Sequence, residues 1–361
     1  MRIAIIGTGL IGASVGLAAR REGHSVAGFD PDERALAVAS ERGAVDEAAA
    51  SLERVLDGAD LSVVAAPVAQ LVHTVEAVLA ASLESCSVTD VGSTKARVAA
   101  AAPSPRFVGG HPVCGSEAHG PAHARADLFE GASWFLTPSH QTSAATHRLV
   151  HGFVASLGAT PVAVDPTVHD RLVALTSHLP HALANLLVNQ AGAARIDGHE
   201  PLAAAAGGSL RDMTRVAGSN PRLWVDIFLE NSGAVREALG EHRRRIEQLE
   251  QALDVGDAGF LARWIGEAGR NRGRMLAEAY PDLGTLQQLR VHVPDRPGVL
   301  AGITQALGAE RINIEDFELQ HVSPERGGTL RLFISGEGEA ERAARLLEEQ
   351  GYGVEVAPVV E

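Results

Sequence analysis

The order of apolar and polar positions divides the chain into three parts. Over the first 165 residues, short apolar runs alternate with segments of helical periodicity. The apolar runs predict buried strands at residues 3–6, 25–29, 60–66, 87–91, 106–109, 134–137 and 161–164. Helices are predicted directly after Gly9, near Pro31, from Pro67 and at about 143–157. Strands that alternate with helices predict a doubly wound α/β sheet, which binds ligands at the carboxyl ends of its strands.

Beyond residue 165 the strand pattern stops, and only helical periodicity continues to about residue 280. Helices are predicted at 167–194, 210–216, 221–239 running on into 241–253, and 258–279. A block of helices must bury its apolar faces against the first domain or against a second copy of itself. Because symmetric pairing is the commonest arrangement, we expect a homodimer. Residues 280–284 are predicted to be a linker.

The last part of the chain combines both patterns. Strands are predicted at 286–293, 313–321, 328–334 and 353–358, and helices at 298–307 and 339–349. The order βαββαβ is typical of a small ferredoxin-like module. The sequence therefore predicts three domains, at residues 1–166, 167–284 and 285–361.

Charge and composition narrow the class of protein. The chain has 361 residues and a net charge of −14, which argues against a nucleic-acid or membrane-surface partner because both need a basic face. Its two cysteines, Cys86 and Cys114, cannot form a disulfide framework. The first predicted strand begins at residue 3, which leaves no room for a signal peptide, and no apolar run has membrane length. We expect a soluble cytoplasmic protein.

A glycine motif lies between the first predicted strand and helix. It is Gly7-Thr8-Gly9-Leu10-Ile11-Gly12, with the spacing G-x-G-x-x-G, and Asp30 follows the second strand eighteen residues after Gly12. Gly7 permits the turn, Gly9 allows a pyrophosphate to approach the backbone, and Gly12 allows close packing of helix and strand. The N–H groups of Leu10, Ile11 and their neighbours open the helix towards the phosphates. Asp30 would bind the ribose hydroxyls and repel a 2′-phosphate, so the motif predicts NAD as the cofactor.

Three further clusters carry the residue types that hydride-transfer chemistry needs. Two are polar loops after predicted strands, at 90–95 and 109–117, and the third is Ser177-His178-Leu179-Pro180-His181. Arg215 and Trp224 follow in the helical part. Because the loops end successive strands, we expect them beside the nicotinamide end of a bound cofactor. A histidine can accept a hydroxyl proton near neutral pH, and an arginine can bind a carboxylate in bidentate form.

Simpler explanations exist for several of these residues. The His178-x-x-His181 spacing could hold a metal, but Pro180 interrupts the helix and no carboxylate lies at the spacing that zinc sites use, so no metal site is predicted. His181 is then a hydrogen-bonding group in a pocket or a core histidine. Arg215 could be a surface charge, and Trp224 fits core or dimer packing as well as ligand binding.

The motifs together resemble the prephenate/arogenate dehydrogenases of tyrosine biosynthesis, in the form that carries a C-terminal ACT domain. The resemblance covers essentially the whole chain. It rests on the glycine motif and on residues 90–95, 110–117, 177–181, 207–215 and 224–231. It implies a Rossmann domain, a helical dimerisation domain, and the NAD-linked oxidative decarboxylation of prephenate to 4-hydroxyphenylpyruvate and CO2.

The resemblance also implies roles for individual residues. His111 would assist deprotonation of the ring hydroxyl as hydride leaves, and Ser93 would bond both this histidine and the substrate. Arg215 would hold a substrate carboxylate, and His181 would line the same pocket. The matched positions at the rim or gate of that pocket are Ser177, Glu117, Asp170 and Trp224.

The segment 293–300 resembles the ligand loop of ACT domains, which bind amino acids. Asp295, Pro297 and Gly298 lie in this loop, where a strand gives way to a helix, and Asn313 lies at the start of the next predicted strand. The N–H groups after Gly298 would point at an amino-acid carboxylate. The pathway of the family implies L-tyrosine as the effector. A module that only packs or dimerises is the alternative.

Other functions remain open at this point. The sequence does not decide between prephenate and arogenate as the substrate. A dehydrogenase of the hydroxyacid type would share the same plan but use a catalytic lysine, and residues 177–185 contain none. A non-catalytic sensor of a dinucleotide and an amino acid is the third reading.

Overall fold

The structure is a computed structural model, and it describes residues 1–114, 118–194, 207–279, 286–323 and 327–358. These residues form two compact units. The first comprises the described residues within 1–202 and 213–242, and the second those within 203–212 and 243–361. Across the described ranges, every helix is too short or too polar to cross a membrane.

The first unit is built on an eight-stranded sheet with the order β3-β2-β1-β4-β5-β6-β7-β8. The strands are β1 (Arg2–Ile6), β2 (Ser25–Phe29), β3 (Glu47–Ala48), β4 (Leu61–Val64), β5 (Ser87–Asp90), β6 (Phe107–Pro112), β7 (Ser133–Thr137) and β8 (Thr160–Ala163). Neighbouring strands run parallel except β7, which is antiparallel to β6. The predicted doubly wound α/β sheet is confirmed, whereas β3 and the reversal at β7 were not predicted.

Helices cover both faces of this sheet. They are α1 (Leu10–Arg21), α2 (Glu33–Glu41), α3 (Leu52–Leu56), α4 (Val68–Ala81), α5 (Ala96–Ala101) and α6 (Ala144–Ser156), with a 3-10 turn at Pro121–His123. Successive residues of β1 enter two separate cores: Ile3 and Ile5 pack with one cluster, and Ala4 and Ile6 with another. This burial on both faces explains why β1 is continuously apolar rather than alternating.

The chain then becomes helical. Its segments are α7 (Pro166–Val173), a π-helical turn (Ala174–His178), α8 (Leu179–Ala193), α9 (Gly208–Thr214), α10 (Pro221–Glu230), α11 (Ser232–Val255) and α12 (Ala258–Ala279). The predicted helix at 167–194 is confirmed, with a π-helical turn inside it that was not predicted, whereas the predicted unbroken helix at 221–239 is wrong because it is interrupted at Asn231. Pro180 lies in the first turn of α8, directly after the π-helical turn. The side chain of Asn231, at the break, donates to the Asp170 carbonyl at 2.7 Å.

The second unit contains a four-stranded antiparallel sheet with the order β10-β11-β9-β12. Its elements are β9 (Leu286–Val293), α13 (Val299–Ala309), β10 (Asp316–Ser323), β11 (Gly327–Ser335), α14 (Glu337–Glu349) and β12 (Gly353–Pro358). Side chains of both helices meet the sheet in one apolar core, which includes Leu289, Ile303, Leu332 and Leu347. The predicted βαββαβ module is confirmed, although β10 begins at Asp316 rather than at residue 313.

Candidate active site

The glycine motif forms a tight turn between β1 and α1. Gly7 has a φ of +96°, and a Cβ on it would overlap the carbonyl oxygen of Ala65. A Cβ on Gly12 would overlap the carbonyl oxygen of Gly7. Gly9 differs, because a Cβ there would meet nothing within 4 Å. Two of the three glycines are therefore required by packing, and the third leaves open space over the first turn of the helix, which begins at Leu10.

Asp30 is held against this turn at the end of β2. Its Oδ2 accepts hydrogen bonds from the Thr8 backbone N–H at 2.6 Å and from the Thr8 hydroxyl at 3.2 Å. Its Oδ1 accepts from the Asp32 N–H at 2.9 Å. Thr8 is fully buried and Asp30 is half-buried, so the carboxylate has a fixed place beside the glycine motif.

A buried ion pair organises the ends of β5 and β6. Lys95 donates from Nζ to Asp90 Oδ2, and both side chains are fully buried. The same Nζ donates to the carbonyl of Gly110 at 2.8 Å, and Asp90 Oδ1 accepts from the Gly110 N–H at 3.1 Å. Burial lowers the pKa of Lys95, and the attraction of Asp90 opposes that shift. The pair therefore holds both backbone polar groups of the residue that precedes His111.

His111 lies near the end of β6 and is bonded to a second histidine. Its Nδ1 is 2.9 Å from His169 Nε2, and His169 Nδ1 is 2.8 Å from Asp170 Oδ1. The Asp170 carboxylate also accepts from the first N–H groups around α5, with Lys95 N to Oδ1 at 2.7 Å and Ala96 N to Oδ2 at 2.8 Å. We call these three hydrogen-bonded side chains, His111–His169–Asp170, the relay.

The relay is shielded from water at its inner end. His169 is fully buried and Asp170 is only 5% exposed, whereas His111 is half-buried. Burial lowers the pKa of His111 well below its ordinary value of 6.5, and His169, Lys95 and His178 lower it further. His111 is therefore a neutral imidazole at physiological pH, as a proton acceptor must be.

A second cluster surrounds Trp224. The ring of His181 stacks on that of Trp224 with centroids 3.5 Å apart, and the ring of His178 meets Trp224 edge-on at 6.0 Å. His181 Nδ1 donates to the Ser177 carbonyl at 3.2 Å, which leaves its Nε2 as an acceptor. Burial lowers the pKa of His181, and the nearby positive charge of Arg215 lowers it further, against the opposing effect of the Ser177 carbonyl.

The structure groups four of the predicted substrate-binding residues in this cluster: Ser177, His181, Arg215 and Trp224. Arg215 is exposed and directly follows α9, while Trp224 and Ser177 are half-buried. His178 is buried, and burial lowers its pKa to about 4. Glu117, predicted at the rim of the same pocket, lies outside the described residues.

Two expectations from the resemblance differ from the described contacts. In the described residues, the hydroxyl of half-buried Ser93 has no hydrogen bond, and the ring of His111 contacts His169 rather than Ser93. Asp170, expected at the rim of the pocket, is buried at the inner end of the relay. His169 was missed, and its adjacency to Asp170 was the sole sequence signal for it.

The predicted effector residues lie in the second unit. Gly298 has a φ of +90° and precedes α13, and Asp295, Pro297 and Gly298 are all exposed. Asn313 is exposed in the segment before β10, and its amide donates to Glu315 at 2.8 Å. The left-handed backbone at Gly298 favours glycine and turns the chain into the helix.

Comparison with known protein families gives three matches in chain order. The matching families are "Prephenate dehydrogenase, nucleotide-binding domain" over residues 15–163, "Prephenate dehydrogenase, dimerization domain" over residues 165–267, and "ACT domain" over residues 287–351. The prephenate dehydrogenase of Bacillus subtilis is 32% identical over 355 residues, which cover 96% of this chain and 95% of that protein. The cyclohexadienyl dehydrogenase of Zymomonas mobilis is 30% identical over 276 residues, covering 75% and 94%.

Solved structures give the same picture for the fold. The prephenate dehydrogenase of Aquifex aeolicus in complex with hydroxyphenyl propionate and NAD+ superposes with a TM-score of 0.72 at 29% identity, covering 76% of this chain and 98% of that one. The arogenate dehydrogenase of Synechocystis superposes with a TM-score of 0.69 at 28% identity, covering 76% and 100%.

Proposed function

Because the chain belongs to the prephenate dehydrogenase family, we propose that it is an NAD-dependent prephenate dehydrogenase that converts prephenate to 4-hydroxyphenylpyruvate and CO2 in tyrosine biosynthesis. The observation that carries the proposal is His111. It is a neutral histidine near the carboxyl end of β6, at the sheet edge that also carries the glycine turn after β1. Proton acceptance and hydride transfer can therefore occur at one edge of one sheet.

The residues of the turn fit a dinucleotide. The space over Gly9 is open, and no side chain caps the start of α1, which suits a pyrophosphate. Asp30 is fixed where it can accept hydrogen bonds from ribose hydroxyls, and its charge disfavours the 2′-phosphate of NADP. When bound, NAD supplies the acceptor for the hydride.

The proposed reaction requires little covalent chemistry from the protein. Loss of hydride and CO2 makes the substrate ring aromatic. The stability of the aromatic product therefore drives the reaction once the hydroxyl proton has an acceptor. His111 takes that proton as hydride leaves and returns it to the ring oxygen when CO2 departs. Arg215 holds a carboxylate next to the stacked rings of His181 and Trp224. Positioning and electrostatic stabilisation then account for the catalysis.

Arogenate is the second candidate substrate, because an arogenate dehydrogenase and a cyclohexadienyl dehydrogenase are among the similar proteins. The test is the formation of NADH, followed by absorbance, with prephenate and arogenate in parallel. We expect the higher kcat/KM with prephenate. A higher kcat/KM with arogenate would reverse the substrate assignment, and no NADH with either would refute the proposed function.

We also propose that the chain is a homodimer and that L-tyrosine inhibits it through the ACT domain. The helical segments expose large apolar side chains that a second copy can cover: Leu175, Leu186, Met213, Val225, Leu229, Trp264, Ile265 and Met275. The match to a dimerisation domain supports the first proposal, and the exposed glycine loop around Gly298 supports the second.

A further inference from the structure

The direction of each hydrogen bond in the relay follows from its inner end. Backbone N–H groups only donate, and Lys95 N and Ala96 N donate to Oδ1 and Oδ2 of Asp170. Both carboxylate oxygens are thus acceptors, and an ionised carboxylate has no proton to donate. The 2.8 Å contact with His169 therefore requires His169 Nδ1 to donate to Asp170.

For a neutral His169, the direction of the remaining hydrogen bond in the relay also follows. A neutral imidazole carries one N–H, so a His169 that donates from Nδ1 must accept at Nε2. The partner at 2.9 Å is His111 Nδ1, which must be the donor. His111 is left with its lone pair on Nε2, the nitrogen that faces away from the relay.

We propose that His169 and Asp170 are positioning residues that hold His111 in its Nδ1–H tautomer and so keep Nε2 ready to accept the substrate proton. That this proton comes from the ring hydroxyl of prephenate rests on the proposed function. When Nε2 takes up a proton, the Nδ1–H bond to His169 persists, so no member of the relay has to move. The opposite tautomer of His111 would carry a proton on the accepting nitrogen and could not act as the base.

Three neighbouring contacts hold the relay in place. The Phe135 ring packs edge-on to His169 at 5.3 Å, and Asn231 binds the backbone carbonyl of Asp170 at 2.7 Å. The Lys95–Asp90 pair fixes the backbone of Gly110 before His111. A histidine placed only to fill space would not need this alignment of donors and acceptors.

The first test is the tautomer itself, measured on the full-length protein without substrate. Protein labelled with 15N-histidine gives long-range 1H–15N correlations that identify which ring nitrogen carries the proton, and a spectrum of His111→Asn assigns the His111 signals. We expect the Nδ1–H form for both His111 and His169. An Nε2–H form of His111, or a doubly protonated His169, would overturn the proposal.

The second test uses variants of His169. His169→Leu removes the acceptor, so the Nδ1–H form of His111 should lose its dominance and kcat should fall roughly 10- to 10³-fold, with little change in the KM for prephenate. His169→Gln restores an acceptor oxygen and should recover most of the loss. His147→Leu, at a half-buried histidine of α6, is the matched control.

Three outcomes separate the possibilities. Equal losses in His169→Leu and His169→Gln with an unchanged His111 tautomer would show a packing role and overturn the proposal. If His169→Leu does not fold, the wild-type spectrum and the His169→Gln rates still decide. If neither prephenate nor arogenate is oxidised, the proposed function fails, while the tautomer remains measurable in the free protein.

Discussion

At the scale of single residues, the protonation of His111 sets the pH response of the proposed reaction. Burial, with His169, Lys95 and His178 nearby, holds the pKa of His111 well below 6.5. The neutral imidazole is the active form, so kcat/KM for prephenate rises with pH as His111 loses its proton, and the rise ends below neutrality. The sequence alone indicates an ordinary histidine and therefore predicts this rising limb of the pH profile near neutral pH.

We predict that His111→Asn lowers kcat by roughly 10²- to 10⁴-fold and removes the limb. Substrate binding should largely persist, since Arg215 and His181 are untouched. Initial rates of wild type and variant across acidic and neutral pH make the measurement. A variant that keeps the wild-type limb would assign the proton to another group, with Ser93 or His181 next in line.

Motifs in the sequence identified His111, Ser93 and Asp30 as candidates, but they could not identify the partners of these residues. Lys95 lies inside a recognised motif, yet its contact with the Gly110 backbone spans fifteen residues and depends on β5 and β6 lying side by side. His169 lies 58 residues from His111. Such contacts depend on how strands and helices are arranged in space, and the local sequence pattern does not indicate that arrangement.

At the scale of elements, glycines at the junction of β1 and α1 have two different roles: Gly9 leaves space for a pyrophosphate, and Gly12 allows close packing. We predict that Gly9→Ala leaves the melting temperature nearly unchanged, because its Cβ would enter open space, and raises the KM for NAD roughly tenfold or more, the equivalent of about 1.4 kcal/mol. Gly12→Ala is the matched change in the same glycine motif, inside α1. Its Cβ would overlap the Gly7 carbonyl oxygen, so it should destabilise the fold by about 1–3 kcal/mol.

Thermal unfolding and NAD-dependent rates of the two variants decide this. A Gly9→Ala protein with wild-type KM for NAD would place the pyrophosphate elsewhere. A Gly12→Ala protein of unchanged stability would contradict the packing role of that glycine.

The loop before α13 carries the prediction for regulation. Gly298→Val places a β-branched residue at a φ of +90°, which strains the loop by about 1–3 kcal/mol and reshapes it. Tyrosine can inhibit only by binding the less active state more tightly. Because the reshaped loop should bind tyrosine less well, we predict weaker inhibition by L-tyrosine at unchanged kcat. Gly302→Ala, inside α13 with open space for its Cβ, is the control.

Inhibition curves of full-length wild type and both variants test this prediction. If tyrosine inhibits Gly298→Val as strongly as wild type, and competes with prephenate, it acts at the active site and the regulatory role of the loop is wrong.

Elements with a strong pattern were predictable, and each exception has a physical cause that this pattern does not contain. β3 has two residues, Glu47 and Ala48, too few to show alternation. The direction of β7 depends on its pairing with β6, since Trp134 and Leu136 would be buried in either direction. The end of α10 follows from the long-range bond of Asn231 to Asp170, which helical periodicity cannot indicate.

At the scale of the whole molecule, the exposed apolar side chains of the helical segments predict self-association. Leu229 is 70% exposed, Met213 66% and Leu186 59%, and a stable homodimer interface would cover such residues. We predict a mass near twice the 37.7 kDa of the chain by light scattering at micromolar concentration. A monomer mass would refute the dimer, and Leu229→Glu should shift the equilibrium towards monomer.

The central proposal is one reaction, in which a single substrate loses hydride and CO2 while its hydroxyl proton passes to His111 and returns to the product. The measurement is the stoichiometry of products from purified full-length protein with NAD and prephenate. We predict one NADH, one CO2 and one 4-hydroxyphenylpyruvate per prephenate consumed, with all three slowed together in His111→Asn. CO2 or keto-acid product without NADH, or equal rates in wild type and His111→Asn, would contradict the account.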